Sequence, residues 1–397
     1  MTSLDTFRAE TRQWLEEKAP VSLRGTRAGR FDGYWGGRRH PAPEPAIQQW
    51  LDLMIEKGWT APTWPSQYGG GDLSRAEAEI LDEEMERLQL PPALVGFGLV
   101  MIGPTLLDYG TEEQKQEHLP KICRGEVRWC QGYSEPGAGS DLAGLSTKAE
   151  IKGDQVIING QKVWTSYADQ SDWIFCLTLT DPDAKKQEGI TFVLVDMFQD
   201  GVTTKPIELI SGASPFCEVF LENAVAKTSD IVGQINAGWI VAKALLGYER
   251  TMIGKAIGGQ LSGVEDELVS NARHYLDQAD GPIEDHSLRH EIATFAMDET
   301  VFNLTTQRIQ QSMEAGRKPG SESSIMKVVG SELKQRRWDL ATRIAGPQCL
   351  GWEGPGYSDE ELLTTRQWLR SRANTIEGGS SEIQLNIIAK RVLGLPS

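Results

Sequence analysis

The stretch that decides the fold is WCQGYSEPGAGSDLAGLSTKAEIKGDQVIINGQKVWTS, residues 129–166. It opens as a glycine-rich loop and continues as β-branched and apolar runs broken by Gly153-Asp154 and Asn159-Gly160. Runs of this kind with Gly-Asp or Asn-Gly breaks are the signature of hairpins in an antiparallel sheet. DWIFCLTLT (172–180) and ITFVLVDM (190–197) carry the same texture onward. In the loop, the glycines at 137, 139 and 144 let backbone N–H groups approach an anion. No Gly-Lys-Ser/Thr closes it as in a Walker loop, and strands rather than a helix follow, so it is not a Rossmann fingerprint. Taken alone, the loop is either an anion cradle or an ordinary turn.

On either side of this β region the periodicity is helical. Leu4, Phe7, Thr11, Trp14 and Leu15 recur at helical spacing, as do Ile47, Trp50, Leu51, Met54 and Ile55. Ser74 with Glu77, and Thr111 with Gln114, have the spacing of capping boxes and predict helix starts. Further helical patterns cover 236–270, 287–315 and 321–345, and a last one starts at the Gly378-Gly379 break. The expected architecture is an α+β multidomain chain. It comprises an N-terminal helical domain (1–125), a middle antiparallel β domain (126–235) and a C-terminal four-helix bundle (236–397). Between the first helices runs PVSLRGTRAGRFDGYWGGRRHPAPEP (20–45), which gathers Arg24, Arg27, Arg30, Arg38 and Arg39. A loop this long is either solvated or a contact for a partner subunit or anionic ligand.

The bulk numbers narrow the class. A chain of 397 residues can bury a substantial core, and its formal charge of −16 opposes nucleic acids and anionic membranes. The five cysteines (123, 130, 176, 217 and 349) have scattered spacings, so neither a disulfide scaffold nor a metal site is expected. The N-terminus MTSLDTFRAETRQWLEEKA carries acids and no apolar core, unlike a signal or transit peptide. These features predict a soluble cytoplasmic protein.

The string YSEPGAGSD (133–141) followed by NGQKVWTS (159–166) resembles the acyl-CoA dehydrogenase family of flavoproteins. The resemblance extends through YGTEEQKQEHLPKICRGE (109–126), ERTMIGKAIGG (249–259), AGRKPGSESSIMKVVGSEL (315–333) and GGSSEIQLNIIAKRVLGLP (378–396). It implies the family's three-domain fold, FAD as cofactor, an acyl-CoA substrate oxidised to the trans-2-enoyl-CoA, and an electron-transfer flavoprotein as acceptor. The implied cofactor-lining positions are Gln131, Tyr133, Ser134, Gly139 and Ser140 in the loop, with Trp164 against the flavin ring and Ser166 near its N5. Tyr133 and Ser134 are expected to bond the ring's polar edge, and Ser140 to lie near the pyrophosphate and the thioester. Further cofactor positions fall on Arg343, Gly346, Gly379, Ser380 and Glu382, and substrate positions on Ser140, Tyr248, Arg250 and Gly378.

The reaction needs a base for the α-proton and stabilisation of the thioester oxygen as it gains charge. Many relatives carry the base as the Glu of a Tyr-Glu-Gly-Thr string in the C-terminal loop. Aligned on the following Ile-Gln, that position here is Gly378, and Glu377 stands one residue earlier. Glu377 is therefore expected to be a partly exposed or structural carboxylate. Relatives such as isovaleryl-CoA dehydrogenase carry the base in a Leu-Glu-Arg string instead, and LLGYERTMIG (245–254) matches it with Glu249. On a helix, Glu249 shares its face with Leu245, Leu246, Met252 and Ile253, and a carboxylate on an apolar face points to a function. Glu249 is assigned as base, with an ion pair as the alternative.

Two departures concern the ADP half of the cofactor. The position at which tetrameric relatives donate an arginine to a neighbour's pyrophosphate falls on Tyr275, with Arg273 nearby, and a glutamine is replaced by Arg343. A subset of bacterial relatives meets such losses by assembling two different subunits into an α2β2 tetramer acting on bulky acyl-CoAs, including steroid side chains. A homo- or heterotetramer is accordingly expected, with a half-site subunit as the alternative to a complete enzyme.

Overall fold

The computed structural model describes residues 3–27, 33–39, 43–261, 264–276, 281–314, 320–321 and 323–396. It divides into two compact units, Met1–Ile207 with Pro215–Tyr248, and Glu208–Ser214 with Glu249–Ser397.

The first unit opens with five helices: α1 (Ser3–Lys18), α2 (Pro45–Glu56), α3 (Arg75–Arg87), α4 (Gly103–Tyr109) and α5 (Glu112–Cys123). Both capping boxes form as predicted, Ser74 and Thr111 each accepting from the backbone three residues on. The apolar stripes of α1 and α2 meet in one buried cluster containing Leu15, Trp50, Leu51 and Met54. A carboxylate is anchored beside it: Glu84 is bonded by Arg12, Arg87 and Arg8. The Arg12 bond, against the opposing effect of burial, holds Glu84 down at about 2.

Four arginines of the long loop bond within the chain. Arg38 pairs with Asp196 at 2.9 Å and with the buried Asp172 at 3.4 Å, and Arg27 pairs with Asp82 at 2.8 Å. Arg24 and Arg39 donate to backbone carbonyls, and Arg38 and Arg39 both lie over the Phe198 ring. Arg30 lies outside the described residues. In a chain this acidic, its own carboxylates are the abundant partners for such cations.

The sheet has seven strands: β1 (Trp129–Gly132), β2 (Lys148–Lys152), β3 (Gln155–Ser166), β4 (Trp173–Leu179), β5 (Ile190–Asp196), β6 (Val202–Ile207) and β7 (Phe216–Lys227). Their order is β1-β4-β2-β3-β7-β6, with β5 on β4. The pairs are antiparallel except where β1 and β2 meet β4. A parallel pair needs a long crossover, which the loop and hairpin between β1 and β4 supply. Gly153-Asp154 makes the predicted β2–β3 hairpin, with Gly153 at φ +65°. Asn159-Gly160 does not turn; it lies inside β3 at a register shift against β7. A Cβ on Gly160 would stand 2.6 Å from the Thr147 Cα, so glycine is there for close backbone approach.

The remaining helices are α6 (Gly238–Leu261), α7 (Val264–Tyr275), α8 (His286–Glu314), α9 (Ser323–Ala345), α10 (Asp359–Ser371) and α11 (Ser381–Ile387). In the second unit α9 is the common strut, packing against α7, α8, α10 and α11. From Gly238 onward, the described residues of the 236–270 pattern fall in α6 and the first part of α7. α10 was not anticipated, although Ser358 and Glu361 form a capping box at its start. All five cysteines are free thiols, and among the described residues no helix is long and apolar enough to cross a membrane.

His118 on α5 is 2% exposed and lies edge-on to Trp129 and Trp173 at 5.2 and 5.0 Å. Burial holds its pKa down at about 4, below the ordinary 6.5. The unfolded chain therefore takes up the proton first as pH falls, and stability is lost between about pH 6.5 and 4. The loss should total about 3 kcal/mol. Urea midpoints measured across this window should fall in the native protein and stay flatter in His118→Gln.

Candidate active site

The two quoted motifs meet inside the first unit through a buried ion pair. Lys162, in β3, and Glu135, in the loop, have side chains 0% and 3% exposed and pair at 2.7 Å. The Lys162 ammonium also donates to the carbonyls of Leu177 at 2.8 Å and Tyr133 at 3.3 Å. Glu135 accepts from the Ser146 N–H and hydroxyl at 2.7 Å each and from the Thr147 N–H at 2.9 Å. Burial pushes the Glu135 carboxyl up, but the Lys162 charge and these hydrogen bonds outweigh it and hold it at about 2. Neither residue was among the candidates. The available signal was Lys162 itself, which shares the inward parity of Val156 and Ile158 along the strand.

Around this pair the loop is closed tightly. Glu135 and Ala138 exchange backbone hydrogen bonds at 3.0 Å, and the Val163 N–H donates to the Ser134 carbonyl at 2.9 Å. Gly139 and Ser140 are exposed, and a Cβ at Gly137 or Gly139 would meet nothing within 4 Å. The outer face of the loop is therefore open to a ligand's close approach.

Trp164 continues this face. By strand alternation it belongs inside with Lys162, yet it is 55% exposed. A register shift between Lys162 and Thr165 flips the parity, burying Thr165 and turning the indole out. Trp164 sits at φ +59°, a left-handed conformation that costs a bulky residue on the order of 1–3 kcal/mol. It is not core filling; its ring touches Phe216 edge-on at 6.1 Å. Ser166, Ser134 and Gln131 are half-buried on the same loop and strand. Tyr133 departs from expectation. The residue is 4% exposed and edge-on to Phe175 and Phe192. Packing among aromatics directs it inward. The strained, exposed indole beside an open glycine loop suits a flat ring with an anionic tail, and these residues fit FAD.

Tyr248, on α6, donates a short hydrogen bond to Asp108 of α4. Glu249 follows it, half-buried and partnered, one turn after the fully buried Leu245. The Arg250 side chain lies outside the described residues.

In the second unit, Gly378 and Gly379 are both left-handed, at φ +63° and +85°, and Ser380 caps α11 by accepting from the Ile383 N–H. Glu382 is bonded by Ser380, which lowers its pKa together with the Glu382 backbone N–H, the larger cause. Glu377 is held by Arg370 at 2.6 Å and Asn374 at 2.5 Å, the structural carboxylate expected from the sequence. Arg343 is paired with Glu291 on α8 and lines a cleft of about 320 Å³ with His290, Arg336 and Asp339. Gly346, just past α9, is left-handed at φ +55°. The Tyr275 hydroxyl donates to Glu361 at 3.1 Å, and Arg273 donates to the Gly281 carbonyl.

Sequence profiles for the acyl-CoA dehydrogenase N-terminal, middle and C-terminal domains match residues 3–126, 130–224 and 236–393. The acyl-CoA dehydrogenase IpdE1 of Mycobacterium tuberculosis is 36% identical over 402 residues, covering 100% of this chain and 99% of that protein. Among solved structures, the Tcur3481-Tcur3483 steroid ACAD is similar with a TM-score of 0.77 at 29% identity, over 100% of this chain and 98% of that one. The ChsE4-ChsE5 complex of Mycobacterium tuberculosis is similar with a TM-score of 0.74 at 26% identity, over 100% and 98%.

Removing one member of the buried pair leaves the other charge without its counterion. Lys162→Met should cost about 3–5 kcal/mol in urea denaturation. Adding Glu135→Gln should restore more than about 1 kcal/mol of that loss, because the stranded carboxylate is then gone.

Proposed function

The chain belongs to the acyl-CoA dehydrogenase family, FAD-dependent oxidoreductases acting on CH–CH bonds, and we propose that it converts a bulky acyl-CoA to its trans-2-enoyl-CoA with Glu249 as base. The observation that carries this reading is the state of the acids. Glu377 is engaged by Arg370 and Asn374, and Gly378, where many relatives carry the base, has no side chain. Glu249 remains, half-buried on α6 beside Leu245. Partial burial raises the affinity of a carboxylate for a proton, as a base working near neutral pH requires.

In this reading Glu249 takes the α-proton, and the backbone N–H of the Gly378-Gly379 turn meets the thioester oxygen as it gains charge. FAD, when bound, supplies the acceptor for the β-hydrogen, which leaves as hydride. The residues that would hold it are, by the family resemblance, Gln131, Ser134, Gly139, Ser140, Trp164, Ser166, Arg343, Gly346, Gly379, Ser380 and Glu382. Ser140, Tyr248 and Arg250 border the substrate, and the electrons pass to an electron-transfer flavoprotein. The bulky acyl group is inferred from similarity to the steroid ACAD.

A second reading concerns assembly. Tyr275, Arg273 and Arg343 are all engaged within their own chain, which supports a cofactor site completed by a different subunit. The similarity to complexes named for two chains points the same way. A heterotetramer, cytoplasmic and with this chain contributing the base, is the form we favour over a homotetramer.

The test is flavin absorbance during anaerobic addition of acyl-CoAs ranging from short chains to steroid side-chain thioesters. It compares the chain expressed alone with the chain co-expressed with a paralogue. Bleaching should be slowed about a thousandfold in Glu249→Gln. Equal bleaching in both proteins would return attention to Glu377. Flavin retained only on co-expression identifies the heteromer.

A further inference from the structure

Lys327 lies on α9, the helix that packs against α11, within the string SSIMKVVGSEL to which the proposed function gives no role. It is 5% exposed, and its Nζ is buried without a hydrogen-bond partner. Burial lowers its pKa, opposed by the charges of Glu377 and Glu382, the two carboxylates that flank the Gly378–Ser381 turn. Neither carboxylate bonds it, since Glu377 is held by Arg370 and Asn374 and Glu382 by Ser380.

Three more buried atoms on the same turn and its flanks also lack partners: Asn374 Oδ1, Ser381 Oγ and Gln384 Oε1. The bonds these amides do make fix which atom is left over. Asn374 Nδ2 donates to Glu377, and Gln384 Nε2 donates to the Gly378 carbonyl at 3.2 Å, so the oxygens remain. One ammonium, one hydroxyl and two acceptor oxygens are thus collected around one turn. An anion would face two amide oxygens and two carboxylates. An apolar group would leave all four atoms unsatisfied. Water, which accepts from the ammonium and donates to the oxygens, satisfies the set.

We propose that Lys327, with Asn374, Ser381 and Gln384, holds buried water beneath the Gly378-Gly379 turn and is a positioning residue for that turn's N–H. The inference rests on the proposed function, in which that N–H meets the thioester oxygen. Two successive left-handed glycines have much backbone freedom to lose, and the Gln384 bond to the Gly378 carbonyl restrains it. Gln384 is held in turn through its own oxygen, by water bonded to Lys327. When the α C–H bond breaks, its proton goes to the Glu249 carboxylate and its electron pair moves toward the thioester oxygen. A displaced N–H slows that step without changing how the CoA moiety binds.

The probe is 3,3-dimethylbutyryl-CoA, whose β-carbon carries no hydrogen, so the reaction stops after α-proton transfer. Exchange of its α-hydrogens in D2O, read by mass spectrometry, reports that transfer alone. It is measured on flavin-loaded protein, co-expressed with its partner chain if loading requires one. Lys327→Met should lower exchange about ten- to a hundredfold while the probe's Kd, read from the flavin difference spectrum, stays within about twofold. Lys327→Gln and Ser381→Ala should show smaller losses of the same kind. Full exchange in Lys327→Met overturns the proposal; if that variant does not load flavin, full exchange in both Lys327→Gln and Ser381→Ala does so. Glu249→Gln separates the layers. Exchange surviving there refutes the base assignment, whereas exchange lost there but intact in the Lys327 variants refutes only the role of Lys327.

Discussion

The Lys162–Glu135 pair is the constraint on which the site depends. Burying two opposite charges is costly unless every hydrogen-bonding position is met. Here the ammonium has three acceptors, and the carboxylate has Lys162, Ser146 and Thr147 as donors. Those bonds reach the glycine loop, the start of β2, strand β3 and strand β4 at once. A set of partners so specific cannot be kept in a shifted register, because a slip of one residue would carry Lys162 to the solvent face. The pair thereby fixes where the β3 irregularity falls, and that irregularity turns Trp164 outward beside the open loop.

Elsewhere the same economy of charge recurs. In the long N-terminal loop Arg27 pairs with Asp82, and Arg38 with Asp172 and Asp196. Glu84 draws three arginines into a cluster between α1 and α3. In the second unit α9 presents Lys327 and Lys334 toward Glu377, and burial lowers the pKa of both. An acidic chain with many aspartates and glutamates offers its cations partners within the chain, mostly at the surface, and the buried pair Lys162–Glu135 is the exception.

The C-terminal turn illustrates how one glycine changes the role of its neighbour. With Gly378 where many relatives carry glutamate, the turn lacks that side chain and has two consecutive left-handed residues. Glu377, one position earlier, finds Arg370 and Asn374 and becomes part of the scaffold. In the function we propose, the base is then Glu249, half-buried on α6.

Much of this was legible in the linear pattern. Helical stripes, capping boxes at Ser74 and Thr111, the Gly153-Asp154 hairpin and the texture of the sheet are local, and each depends on residues within a few positions of one another. The family resemblance extends the same legibility to the domain order. What sequence could not decide involves partners distant along the chain. Asn159-Gly160 reads as a turn but is needed where Thr147 crosses. Tyr133 reads as a ligand contact but is buried among Phe175 and Phe192. Trp164 falls by strand alternation on the inward side but is turned out by a β-bulge, and Lys162, Glu135 and Lys327 gain their meaning only from burial. Periodicity states which way a side chain leaves a regular element; only the tertiary structure decides where the element is irregular and which charge waits on the other side.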